Sequence, residues 1–233
     1  MEVCSQNMND PCTVLLKVNG NKCNMSCQYC SELSKNFTQE QCSFDRDKIA
    51  AILEKLPRDA AIILHGGEPS LIGKDNVAWM LHHIKKLGFR ITPSIQTNGF
   101  LDDSWAAFFA DNKDLLRVSV SIDGDRSCNQ FRWAAGSDSE RAFETVDRFL
   151  HKLDNAQVDF RCIATVNHYS WQHGDEIIDY FAQYEHLRFV RLNPCFDIDE
   201  EGVKEWAVTP TQYLSCLKQA FSRMLVLQTY KKF

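Results

Sequence analysis

Apolar positions recur along this chain in two alternating rhythms. Short, nearly unbroken apolar runs of strand length take turns with longer stretches in which apolar residues return every three or four positions, the period of a helix. Thr13 to Val18 is the first run, and a polar stretch reaching Ser43 follows it. From Asp45 to Leu56, the apolar positions Ile49, Ile52, Leu53 and Leu56 share a helical face, and Pro57 closes the stretch. Ala60 to Leu64 is apolar throughout, as expected of a strand buried on both faces of a parallel sheet. Asn76 to Leu87 reads as a second helix ended by Gly88, and Arg90 to Gln96 as a third strand in which Pro93 marks an irregularity or an edge.

Asp102 to Asn112 is a helix whose Trp105, Phe108 and Phe109 have helical spacing and read as core. In the strand Leu116 to Ile122, alternation puts Ser119 and Ser121 on one face, with Asp123 continuing it. A helix over Ser139 to Lys152 has Ser139 as its expected cap. Phe160 to Val166 and Leu187 to Leu192 are strands around a helix over Asp175 to Tyr184. Thr209 to about Gln228 is the last helix, with Pro210 in its first turn. This strand-then-helix order predicts an α/β fold of parallel strands joined by right-handed crossovers. Ligands in such sheets bind at the carboxyl ends of the strands.

The 233 residues fit one domain, 1–233, with an N-terminal tail over 1–11 and a terminal helix in 209–233. No run approaches the ~18 apolar residues of a membrane-spanning helix, and Met1 to Pro11 lacks the basic start and apolar centre of a signal peptide. A cytoplasmic protein with no membrane partner is the expectation. The net charge of −5 exerts no general pull on nucleic acid, which makes it an unlikely partner. In a reducing compartment, the ten cysteines read as metal ligands or small buried side chains rather than disulfides.

Three of them, Cys23, Cys27 and Cys30, form a C-x3-C-x2-C loop immediately after the first strand. Thiolates this close suit a soft metal or an iron–sulfur cluster. A [4Fe–4S] cluster normally takes four cysteines, so three leave one iron open to a substrate or cofactor. Half of a structural zinc site is the competing reading, although no second C-x2-C pair is present. Cys4, Cys12, Cys42, Cys128, Cys162, Cys195 and Cys216 are scattered, and no auxiliary cluster is expected from them.

Polar motifs gather at the other strand ends. His65-Gly66-Gly67-Glu68-Pro69 follows the second strand, with glycines that let backbone approach a ligand closely. Gln96-Thr97-Asn98-Gly99 follows the third. Ser121-Ile122-Asp123-Gly124 follows the fourth, with Arg132 a little further on; hydroxyls and a carboxylate there suit a ribose, and a guanidinium suits a carboxylate. Taken singly, each also reads as an ordinary turn.

Together, these residues resemble the radical S-adenosylmethionine (SAM) superfamily from Val14 to about Pro194. Cys23, Cys27 and Cys30, with Tyr29 in the aromatic position, match its cluster loop. Gly66, Gly67, Glu68 and Pro69 match the motif that meets the amino group of SAM. The Ser121 to Gly124 stretch and Arg132 look like sulfatase-maturing enzymes and peptide maturases, in which the serine contacts SAM and the arginine holds its carboxylate. Here Cys128-Asn129 stands where that pattern has His-Asp. Thr97 and Asp123 are carried as further SAM contacts, and Leu192 and Asn193 match the adenine-lining region by position.

The resemblance implies a partial (β/α)6 parallel barrel, a [4Fe–4S] cluster and SAM, cleaved reductively to a 5′-deoxyadenosyl radical that takes hydrogen from the substrate. It implies a peptide or protein substrate, and reduced flavodoxin or ferredoxin as electron donor. It does not by itself identify a catalytic protein side chain. A small-molecule or nucleotide substrate, or a non-catalytic accessory role, stays open. Many such relatives carry a C-terminal auxiliary-cluster domain, which would begin near Phe233, and a leader-binding domain before the first strand is not expected. His82 and His83 read as a helix surface. His168 and His173 stand near the mouth as candidate acid/base groups, and the acidic run Asp197, Asp199, Glu200 and Glu201 reads as a solvated loop able to meet a basic peptide.

Overall fold

The computed structural model describes residues 12–30, 44–133, 138–199 and 202–231. Expectations for the tail 1–11, the stretch 31–43 with Cys42, Cys4, and the pair Glu200 and Glu201 lie outside these residues. Six strands, β1 (Thr13–Lys17), β2 (Ala61–His65), β3 (Ser94–Thr97), β4 (Arg117–Ser121), β5 (Phe160–Val166) and β6 (Leu187–Pro194), form one sheet in chain order. Every neighbouring pair is parallel. The sheet is not closed, since β1 and β6 are its two edges. This is the α/β partial (β/α)6 barrel that the apolar pattern and the resemblance predicted.

The helices α1 (Arg46–Lys55), α2 (Lys74–Lys86), α3 (Ser104–Asp111), α4 (Ser139–Asn155) and α5 (Gly174–Ala182) lie between successive strands. Alternation along the strands divides the sheet into two faces. Ile62, Leu64, Ile95, Val118 and Val120 are buried with Leu53, Met80 and Phe149 of the helices in one core. Ser94, Gln96, Ser119 and Ser121 point to the opposite, concave face, which stays partly open. Polar residues in the middle of the strands are therefore not packing errors.

Three local expectations change. The third strand begins only at Ser94, and it is central rather than an edge. Pro93, which has no N–H to donate, stands just before it, and its carbonyl accepts from Arg117 N at 2.9 Å. Asp138, not Ser139, caps α4, accepting from Arg141 N at 2.9 Å. A 3₁₀ turn, Pro69–Ile72, precedes α2 and moves its start ahead of the expected Asn76.

Beyond β6, a short antiparallel pair, β7 (Ile198–Asp199) and β8 (Gly202–Val203), leads to α6 (Pro210–Leu227). Thr209 and Gln212 form a reciprocal cap at the start of α6. The last helix packs closely on α5: a Cβ on Gly174 would meet the Cys216 carbonyl at 2.3 Å, and Gly174 N donates to Gln219 at 3.0 Å. Among the described residues, no helix is long and apolar enough to cross a membrane.

Candidate functional site

The cysteine loop lies across the carboxyl ends of the strands and is clamped from three sides. On one side, Gly67 N donates to Gly20 O at 2.9 Å and Glu68 N to Lys22 O at 2.7 Å. On the other, Ser26 N donates to Trp133 O at 2.7 Å and Gln28 N to Phe131 O at 2.9 Å. From above β3, Asn98 Nδ2 donates to Asn24 Oδ1 at 2.7 Å and stands 3.4 Å from the Cys23 sulfur. The loop is thus fixed by backbone contacts before any ligand arrives.

The glycines explain how the clamp closes. A Cβ on Gly67 would lie 2.0 Å from the Lys22 carbonyl oxygen, and one on Gly66, whose φ is +117°, would lie 2.5 Å from that of Gly20. Only glycine lets the two loops approach this closely. Close approach was expected here, but the backbone that comes close belongs to the cysteine loop itself.

Beneath the clamp are three buried charged side chains. Glu68, 0 % exposed, accepts from Ser70 N, Thr97 Oγ1 and Asn98 N at 2.9, 2.9 and 2.7 Å. Burial still pushes its carboxyl above the ordinary range, with the three donors opposing that shift. Asp123, 1 % exposed, accepts from Tyr29 Oη at 2.6 Å, Thr165 N at 2.8 Å and Asn167 Nδ2 at 3.3 Å. Burial raises it as well, while the Arg132 charge and these donors pull it down. Arg132, 5 % exposed, donates to the Ser121 and Asn98 carbonyls at 2.8 and 3.2 Å and to Tyr29 Oη at 3.4 Å. It is no surface charge.

A cavity of about 510 Å³ opens between these groups and the sheet, within the size range of small-molecule sites. Cys23, Cys27 and Cys30, all half-buried, line it together with Tyr29, Gly66, Gly67, Thr97, Ser121, Arg132 and Asn193. Four expected contacts do not line it. Glu68 and Asp123 spend their carboxylates inward, Pro69 is buried at the head of the 3₁₀ turn, and the Leu192 carbonyl accepts from Tyr213 Oη at 2.7 Å. His168 and His173 are not in the lining either, and His173 faces Glu176 at 2.9 Å. Asp197 of the acidic run does line it, held by Trp206 Nε1 at 2.7 Å.

Gln96 and Asn98, named only as part of the strand-end motif and not as ligand contacts, also line the cavity, as do Thr165, Cys195 and Phe196, which no motif singled out. Gln96 Nε2 donates to Ser121 Oγ at 2.9 Å. Continuing the two-residue alternation along β3 and β5 would have placed Gln96 and Thr165 on the concave face. No sequence signal pointed to Cys195 or Phe196.

The donor set fits an iron–sulfur cluster. Three soft sulfur donors line the same cavity, and without a ligand burial pushes the Cys27 thiol up to about 11 and raises Cys23 too. Among the described residues, no three His, Cys, Asp or Glu side chains converge closely enough to hold a single metal ion. A multi-iron cluster needs no such convergence, because each sulfur binds a different iron. The sequence profile described as the radical SAM superfamily matches residues 19–193, which take in the cysteine loop, the Gly66–Gly67 clamp and the cavity wall through β6. The chain belongs to the radical SAM superfamily.

Among its relatives, the cysteine-type anaerobic sulfatase-maturating enzyme of Clostridium perfringens is 28% identical over 228 residues, covering 91% of this chain and 60% of that protein. The serine-type enzyme of Bacteroides thetaiotaomicron is 27% identical over 201 residues, covering 80% and 47%. Among solved structures, native anSMEcpe with bound AdoMet and a peptide superposes with a TM-score of 0.76 at 25% identity, covering 94% of this chain and 62% of that one. Streptococcus suis SuiB bound to S-adenosylmethionine shares the fold with a TM-score of 0.66 at 15% identity, covering 94% and 48%. This radical SAM chain thus spans 60% of the length of the cysteine-type relative and 47% of the serine-type one.

Proposed function

We propose that this chain is the core of a radical SAM enzyme that modifies a residue in a peptide or protein. The observation that carries this reading is the three-cysteine loop clamped at the mouth of a cavity whose wall also holds Gly66, Gly67, Ser121 and Arg132. When bound, a [4Fe–4S] cluster and SAM supply the electron and the carbon–sulfur bond whose cleavage yields a 5′-deoxyadenosyl radical able to take hydrogen from an unactivated carbon.

The protein's part is placement. Cys23, Cys27 and Cys30 would hold three irons and leave the fourth without a protein ligand. Gly66 and Gly67 line the cavity, where backbone carbonyls would suit an ammonium group. Arg132 keeps its charge although buried: the loss of water works against it, but the Asp123 carboxylate nearby and the Ser121 and Asn98 carbonyls that accept from it favour the charged form. Together with Ser121 it suits the carboxylate of SAM. Thr97 and Asn193 complete the wall toward the nucleoside. Glu68 and Asp123 act through others, the first holding the Asn98 turn and the second holding Tyr29 and the β5 end.

We read residues 1–233 as one core domain of a cytoplasmic protein, with reduced flavodoxin or ferredoxin as electron donor and a peptide as substrate. The support for a peptide is the similarity to sulfatase-maturating enzymes and the superposition on anSMEcpe with its bound peptide. Anaerobic reconstitution followed by reduction in the presence of SAM tests the reading. About four irons per chain and reductant-dependent 5′-deoxyadenosine support it, as a [4Fe–4S] site requires. Iron uptake with no 5′-deoxyadenosine contradicts it.

A further inference from the structure

The concave face of the sheet has a second, smaller cavity of about 130 Å³ nearer the amino ends of the strands. It adjoins the first, because Gln96 and Ile163 line both. Arg117, Arg161 and Arg191 line it, one each from β4, β5 and β6. The register sets their arrangement. Ser119 pairs with Arg161 and Ile163 with Arg191, so each arginine stands one strand over and two residues further toward the carboxyl ends. Strand spacing and rise put successive Cα atoms about 8 Å apart, within reach of two long side chains meeting on one group.

None of the three guanidiniums has a carboxylate partner among the described residues, and no Asp or Glu lines this cavity. Among the described residues, four other arginines, Arg126, Arg148, Arg188 and Arg223, do face carboxylates. Arg188, also on β6, lies 2.7 Å from Asp159, and Arg223 lies 2.6 Å from Asp179. Three like charges climbing one concave wall repel one another and focus a positive field within a chain whose net charge is −5. Ser94, Gln96 and Ser119 add neutral hydrogen-bonding groups beside them.

We infer that this staircase is a substrate subsite that takes the carboxylate of an acidic side chain in the peptide. It rests on the peptide reading given above and deepens it. Guanidiniums match carboxylates in two-point fashion, and a cavity of this size admits a side chain rather than a folded surface. Climbing from Arg117 to Arg191, the charges run toward the first cavity, so an acidic residue held there would place neighbouring peptide residues near the cofactor pocket.

Fluorescence anisotropy on the full chain tests this with three probes: a fluorescein-labelled decapeptide with Glu at alternate positions, a matched Gln decapeptide, and inorganic phosphate as competitor. The expected result is at least tenfold tighter binding of the Glu peptide. Arg161→Gln and Arg191→Gln should each lose at least fivefold, Arg161→Lys should recover part of the loss, and Arg188→Gln should change nothing. Equal binding of both peptides, an equal loss in Arg188→Gln, or displacement by equimolar phosphate would overturn the inference. The last outcome would mark a site for a small phosphate instead. Measuring 5′-deoxyadenosine in parallel separates the two readings. Cofactor cleavage without preference for the Glu peptide sinks the subsite alone, whereas arginine-dependent binding without cleavage sinks the enzyme reading alone.

Discussion

At the rim of the sheet, Glu68, Asp123 and Arg132 are buried and saturated: each makes at least three hydrogen bonds inside the protein. On the concave floor, Arg117, Arg161 and Arg191 are exposed and have no carboxylate partner among the described residues. The rim spends its charges on holding loops in place, so its geometry exists before ligands bind. The floor keeps its charges for something from outside. Preorganisation and recognition thus occupy different levels of one sheet, and substitutions at the two levels should behave differently.

The largest effect is expected at the cluster loop. Cys27→Ala should bring iron after anaerobic reconstitution from about four per chain to well below one, whereas Cys162→Ala, whose thiol is buried on the helix side of β5, should bind iron normally. Iron analysis of the two purified variants decides the point. Equal iron in both would remove the loop from the account.

Gly67→Ala comes next. The added methyl meets the Lys22 carbonyl at 2.0 Å, so the clamp must open, with an expected loss of about 1–3 kcal/mol in chemical denaturation. Its cluster content should fall with it. An unchanged denaturation midpoint would mean that the loops are not locked together as described.

Glu68→Gln sharpens the comparison through pH. Glutamine offers one acceptor oxygen where three donors converge, and its amide N–H₂ faces another donor; the expected cost is about 1–3 kcal/mol. The folded-state pKa of Glu68 is raised above its ordinary value of 4.5, burial being the leading cause. Its contribution is therefore fully present below pH 4.5 and lost as pH rises through the raised folded value. The stability gap between wild type and Glu68→Gln should narrow from pH 4.5 to 7, read from denaturation midpoints. A gap that widens would put the folded pKa below 4.5.

The smallest effect belongs to the floor. Arg161→Gln should leave stability within roughly 0.5 kcal/mol, because it breaks no hydrogen bond or ion pair among the described residues and relieves repulsion from like charges. A loss as large as that of Glu68→Gln would mean that the floor arginines hold the sheet together.

Some of this was readable from the chain and some was not. The unbroken run Ala60 to Leu64 announced a strand, although only Ile62 and Leu64 are buried while Ala61 and Ile63 face the partly open concave side, and Cys23, Cys27 and Cys30 announced soft-metal chemistry from spacing alone. Pro93 misled because a missing N–H marks either an edge or a strand start, and only the pairing of β2 with β4 through β3 tells which. Asp123 and Glu68 looked like ligand contacts, since carboxylates at strand ends suit ligands, yet donors from distant segments such as Asn167 and Asn98 consume them. Contacts of that range leave no local pattern. The arginine staircase was encoded in the two-residue alternation, but on single strands each arginine passes for ordinary surface charge. It emerges only when the registers of β4, β5 and β6 are aligned.

The central claim is that the three-cysteine loop leaves one iron open to SAM. Electron paramagnetic resonance of the reconstituted, reduced chain, recorded with and without SAM, tests it most directly. The account predicts a cluster signal whose shape changes when SAM is added and that is absent in Cys27→Ala. A full cluster signal that SAM leaves untouched would contradict it.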